Sequence, residues 1–178
     1  MHATKSAKAF TPSIIPDVPF GIAQPNQMKG LSGLDAARAI PRGDLPTPSM
    51  AQTLQQWILL AAKGKVEFRG TPMQAYLNPM DLVHGGWSVA LLDSAMGCAV
   101  QAVLEAGEFY TSLATEVKFL RPAMMEMEQV RAICTVIDRT RQTASAEARI
   151  EDMQRRILAT GTSTCFLKSL GQKPETKK

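Results

Sequence analysis

Asn78-Pro79-Met80-Asp81-Leu82-Val83-His84-Gly85-Gly86 runs directly into an apolar segment that carries one carboxylate, Asp93. Two adjacent glycines leave the backbone unshielded. The residues after them, Gly85 to Leu104, read as one long helix, apolar nearly all round and therefore buried on most sides. Free N–H groups and the positive end of the helix dipole then point out of its first turn. Such donors stabilise an oxyanion at a reacting carbonyl. The alternative is that the glycines only let the helix pack close to a strand.

Asp93 is costly to bury in so apolar a helix, which marks it as a nucleophile or general base rather than an idle structural acid. Gly85 and Asp93 are eight residues apart, about 12 Å along one helix. Both must come within about 3 Å of the reacting atoms. One helix cannot easily do this, but two copies in a symmetric dimer can. An obligate homodimer with two interface sites is the expectation. His84 either holds the loop by hydrogen bonds or moves a proton. Asn78 either orients water or a carbonyl, or caps the loop. No Ser-His-Asp triad is available, because Ser88 and Ser94 lie in the helix without a nucleophile elbow.

Either side of this segment the chain reads as strands. Trp57–Ala62 and Lys65–Tyr76 form a hairpin across Lys63-Gly64. Ser112–Leu120, Gln129–Ile137, Thr143–Glu151 and Arg156–Leu167 follow the helix. Ala144, Ala146, Ala148 and Ile150 alternate with Thr143, Ser145, Glu147 and Arg149, giving one dry and one wet face. The order is satisfied by one antiparallel sheet wrapped around one helix, an α+β fold. Leu34–Ile40 predicts a short helix stopped by Pro41, and Ser49 an N-cap for a brief helix through Gln55. Residues 1–30 read as an extended or disordered tail, 31–168 as the domain and 169–178 as a polar tail.

With 178 residues and a net charge of +4, the chain is an ordinary globular one with lysines in both tails. There is no basic–aromatic stripe, so no nucleic-acid role is expected. Asp93, Gln101 and two serines interrupt the one segment long enough to resemble a membrane span, so no membrane role is expected. The three cysteines are isolated in apolar runs and only two histidines are present, which argues against disulfides and a metal site and fits a reducing cytoplasm.

The same residues carry a resemblance. Leu31-Ser32-Gly33-Leu34, Gly43-Asp44-Leu45-Pro46-Thr47-Pro48, Asn78-Pro79, His84-Gly85-Gly86, Leu91-Leu92-Asp93-Ser94-Ala95-Met96-Gly97 and Tyr110-Thr111-Ser112 recur in order. Phe119-Leu120-Arg121-Pro122, Ala146-Glu147-Ala148-Arg149 and Ala159-Thr160-Gly161-Thr162-Ser163-Thr164-Cys165 continue the set. Across residues 31–167 the chain resembles the hotdog-fold acyl-CoA thioesterases of the phenylacetate-pathway (PaaI-like) type. The resemblance implies a long central helix wrapped by a curved antiparallel sheet of about six strands, paired into dimers and often tetramers. It implies hydrolysis of an acyl-CoA to a carboxylic acid and free CoA, without metal or redox cofactor.

By the same resemblance, Gly85 would donate to the oxyanion, with Gly86 beside it. Asp93 of the partner chain would be nucleophile or base. Asn78 would position water or the thioester, and His84 would support the turn. Ser112, with Thr111 as fallback, would help position water. The chain departs from the pattern at Asp81, Thr140 and Arg155, where the family usually carries glycine; a changed hairpin is expected at the last two. Arg155 and Arg156 are candidates for the CoA phosphates. Trp87, Leu92, Met96, Met124 and Met125 are candidates for an acyl pocket. A non-catalytic acyl-CoA-binding protein and a hydratase on the same fold are the competing readings.

Overall fold

The computed structural model describes residues 17–169. The expected tails at 1–16 and 170–178 lie outside the described residues. Three short helices, α1 (Pro25–Met28), α2 (Gly33–Arg42) and α3 (Ser49–Leu54), precede the sheet. Strands β1 (Gln56–Ala62) and β2 (Lys65–Gly70) come next, followed by the long helix α4 (Gly85–Gln101). Strands β3 (Glu108–Phe119), β4 (Val130–Arg139), β5 (Thr143–Asp152) and β6 (Ile157–Ser169) complete the chain. The six strands form one antiparallel sheet in the order β1-β2-β4-β5-β6-β3, and α4 packs across it.

Helix α4 is amphipathic in burial although not in composition. Leu91, Leu92, Ala95, Met96, Ala99 and Val100 are fully buried, while Val89, Ala90, Asp93, Ser94, Cys98 and Gln101 form a half-buried flank. Each buried Leu, Met or Val contributes up to about 1.5–3 kcal/mol, which fixes the rotation of the helix and keeps Asp93 off the core face. On β5 the expected alternation holds: Ala144, Ala146, Ala148 and Ile150 are buried. Alanines at successive inward positions let α4 lie close to the sheet.

Several boundaries differ from the sequence reading. Helix α2 runs past Pro41 to Arg42 and is ended by Gly43, whose φ of 79° lets its N–H return to Ala39 and Ile40. Proline in a last turn removes only one hydrogen bond. Pro48, not Ser49, holds the N-cap position of α3. β2 ends at Gly70 rather than Tyr76, because Gly70 lies against the Trp87 ring and Pro72 cannot donate to a ladder. Gln74–Tyr76 instead makes a turn of 3-10 helix. Part of the stretch expected to be extended or disordered is tied down: Thr47 N donates to Pro19 O at 2.7 Å and Gly21 N to Thr47 O at 2.9 Å.

The turn at Arg155 also corrects an expectation. Arg155 adopts φ 65° and Asp81 φ 62°, so both keep the left-handed geometry without glycine. That costs roughly 1–2 kcal/mol per residue. At the other hairpin Thr140 closes the turn through its side chain, accepting from Thr143 N at 2.9 Å.

Candidate active site

The glycine pair is asymmetric. His84 is the N-cap of α4, and its Nδ1 accepts the Gly86 N–H at 2.9 Å. The His84 N–H in turn donates to Tyr76 O at 2.8 Å, which holds the cap in place. Gly86, expected to help bind substrate, therefore has its N–H spoken for. The Gly85 N–H has no acceptor among the described residues. A Cβ on Gly85 would sit 3.0 Å from Cζ of Phe119, so the glycine lies against the edge of that exposed ring.

Asn78 caps the loop before the helix. Its Oδ1 accepts from Met80 N at 2.9 Å and Leu82 N at 3.2 Å. Its side-chain NH2 makes no bond among the described residues and is the atom left to meet a ligand.

Asp93 stands on the half-buried flank of α4, facing β3 and β6. Its Oδ1 accepts from Thr115 Oγ1 at 3.0 Å. Burial pushes the nearby Cys98 thiol up to about 12, with the Asp93 charge a lesser cause. Burial likewise raises Tyr110 and Cys165. Ser112, the expected strand hydroxyl, contacts the Cys165 thiol instead of Asp93, and Thr111 is exposed.

Thr115 escaped the sequence reading for a physical reason. Strict alternation from Ser112 puts Ser112 and Ala114 on the helix side and Thr115 on the other. The β3–β6 register pairs Ser112 with Cys165 and Ala114 with Thr164, skipping Leu113. That bulge changes the phase, so Thr115 comes opposite the buried Ser163 and under the helix.

The two arginines differ. Arg156 Nε is 2.6 Å from Oδ2 of Asp152, a carboxylate that is only 1% exposed. Burial pushes the Asp152 carboxyl up, but hydrogen bonds from Arg156 and Gln154 outweigh it and hold it below its ordinary value. The charge of Arg156 is thus largely cancelled, while Arg155 makes no ion pair among the described residues. The acyl-pocket candidates also divide. Trp87, Leu92 and Met96 are core, with Trp87 stacked on Tyr76 at 6.0 Å. Met124, with Met127 and Met153, lines a surface hollow of about 520 Å³ closed on one side by Asp152 and Arg156. Met125 is exposed. No group of three metal-ligating side chains occurs among the described residues, and no helix there is long and apolar enough to cross a membrane.

The profile of the Thioesterase superfamily matches residues 80–159, the segment holding α4 and Asp93. A phenylacetic acid degradation-related protein from Ralstonia eutropha JMP134 is 30% identical, superposes with a TM-score of 0.67, and covers 73% of this chain and 98% of its own. The chain belongs to the thioesterase superfamily. Within it the fold is the hotdog, of the PaaI-like type. Two more distant structures share the fold. One is the Escherichia coli PaaI protein from the phenylacetic acid degradation operon, at 22% identity and TM-score 0.63, covering 70% of this chain and 86% of its own. The other is the thioesterase HI1161 from Haemophilus influenzae, at 21% and 0.64, covering 71% and 87%. No curated protein sequence matches. Within this thioesterase, loop 78–84 and the first turn of α4 form one half of the candidate site, and Asp93 with its β3 contact forms the other.

Proposed function

We propose that this thioesterase hydrolyses an acyl-CoA, as a homodimer with two composite active sites. The observation that carries the proposal is the unequal fate of two neighbouring amides. Gly86 N–H is consumed by His84, and Gly85 N–H is left as a single aimed donor. Asp93 lies about 12 Å further along the same helix, so the acid that completes the site is the partner subunit's Asp93. The β3 edge supports such pairing. One side of this strand is bonded to β6, the other has no strand neighbour among the described residues, and Leu113 and Phe119 are 63% and 57% exposed. Long apolar edge strands call for a partner. Tetramers built from two such dimers are compatible with the same edge pairing.

In this scheme the thioester oxygen accepts the Gly85 N–H, and the Asn78 NH2 helps hold the carbonyl or water. Asp93 either attacks the carbonyl carbon, giving a mixed anhydride that water then opens, or takes a proton from the attacking water. In both routes the C–S bond breaks, CoA leaves as the thiol after protonation, and the acyl group leaves as the acid. Single-turnover hydrolysis in ¹⁸O-water bears on the two: direct attack followed by water addition at the Asp93 carboxyl carbon puts unlabelled oxygen from Asp93 into the product, which activation of water by Asp93 cannot do. Arg155 is the better placed of the two turn cations to meet CoA phosphates, and the free thiols at Cys98, Cys134 and Cys165 suit a reducing cytoplasm.

The test is subunit complementation. Asp93→Asn and Gly85→Pro homodimers are each expected to release thiol at least about 10²-fold more slowly from acyl-CoA than wild type. Reassorted in equal amounts, half of the dimers are mixed, and each mixed dimer holds one site with neither lesion. About a quarter of wild-type activity then returns. No recovery from a proven mixed dimer refutes the shared site.

A further inference from the structure

We propose that Thr115 is a positioning residue that fixes one oxygen of Asp93 and leaves the other free to react; the inference rests on the thioesterase reading of Asp93. Thr115 Oγ1 lies 3.0 Å from Asp93 Oδ1 and 3.3 Å from Ser163 Oγ. The proton assignment follows from the inventory of donors. Ser163 has one hydroxyl proton and gives it to Ala114 O at 3.0 Å. A carboxylate only accepts. The Thr115 proton goes to the charged acceptor at 3.0 Å in preference to Ser163 Oγ at 3.3 Å, and Ser163 then only packs against Thr115.

The backbone makes this contact rigid. Thr115 is paired with Ser163 across the β3–β6 ladder, and the bulge at Leu113 sets it in the inward place that Ala114 would otherwise occupy. A methyl group there could not orient a carboxylate. A carboxylate turns freely about its Cβ–Cγ bond. A bond to Oδ1 removes that freedom and presents Oδ2 to the substrate side in one plane. The effect belongs to the chemical step and not to substrate binding, because Thr115 touches Asp93 and not the thioester.

The charged and titratable groups around Asp93 are Cys98 on α4, Tyr110 on β3 and Cys165 on β6, all held neutral by burial through the neutral range. Removing a hydrogen bond to an ionised carboxylate favours its protonated form, so the readout is any rise in the acid limb of the pH–rate profile of a Thr115 variant relative to wild type.

The experiment compares wild type, Asp93→Asn, Thr115→Val, Thr115→Ala and Thr115→Ser on a small panel of acyl-CoA esters. The expected result is a kcat about 10- to 100-fold lower in Thr115→Val and Thr115→Ala, with KM within about twofold. The acid limb rises by at least about half a pH unit, and Thr115→Ser returns to within about threefold of wild-type kcat. Valine matches threonine in shape, and alanine guards against a packing fault in either direction. An unchanged kcat and limb in both hydroxyl-free variants, beside an inactive Asp93→Asn, overturns the positioning role and leaves the thioesterase standing. A purely structural role shows as lost thermal stability with an unmoved limb, and overturns it too. A wild type that releases no thiol from any thioester overturns both.

Discussion

Replacing Gly85 with proline removes one N–H and little else. Gly85 is the first residue of α4, where proline's missing donor breaks no helical bond and its fixed φ suits the turn. The preceding His84 already sits at φ −59° and ψ 134°, the extended region that a following proline demands. The His84 cap uses the Gly86 N–H and is untouched. Proline in a compatible backbone gains about 0.4–1 kcal/mol through the unfolded chain. Against this stands the contact of a new Cβ with Phe119 at 3.0 Å, which the exposed ring relieves by turning. The two effects nearly cancel, and at this size about 1 kcal/mol is about 2–4 °C in Tm. Catalysis loses its oxyanion donor, which is worth about 10²- to 10³-fold in kcat, or about 2.7–4 kcal/mol. Gly85→Ala carries the same Cβ but keeps the N–H, so the ratio between the two variants isolates the donor. The assay is thiol release from acyl-CoA beside thermal unfolding. A Gly85→Pro enzyme that folds and turns over like Gly85→Ala refutes the oxyanion assignment.

Three other outcomes are expected. His84→Ala loses the helix cap, worth about 1 kcal/mol, with a lower Tm and a lower kcat, whereas His84→Asn, a strong N-cap residue, restores both; Tm restored without kcat would point to proton transfer by the imidazole. Arg155→Ala raises KM for CoA esters and leaves KM for short-tailed thioesters unchanged, read from paired saturation curves, and an equal change in both refutes a phosphate contact. Finally, the Cys98 and Cys134 thiols are pushed by burial from about 9 to about 12. A raised thiol keeps its stabilising effect below its unfolded value, so unfolding free energy is flat to about pH 9. Above that it falls toward pH 12 by up to about 1.4 kcal/mol per unit for each thiol. Urea titrations from pH 7 to 11 check this, and a stability that does not fall above pH 9 contradicts the burial of those thiols.

The start of α4, the lone acid within it and the two-faced strand β5 were all legible in the sequence. Each is a local signal: a glycine pair before an apolar run, a charge where none is expected, and a strict alternation along one segment. Local chemistry also named Asn78 and His84, though not which atoms they commit. Three features lay beyond that reading. Which glycine keeps a free N–H depends on where the His84 ring folds back. Asp81 and Arg155 hold left-handed backbones that their side chains disfavour, because the surrounding turns close around them. Thr115 reaches Asp93 because β3 slips one residue against β6, and a register is a property of two strands that meet only in the folded sheet. Local pattern was enough to place the long helix and most strands and to nominate residues for chemistry, because those signals lie within single segments. Tertiary structure decided which oxygen, which amide and which hydroxyl face one another, since those depend on contacts between segments far apart in the chain.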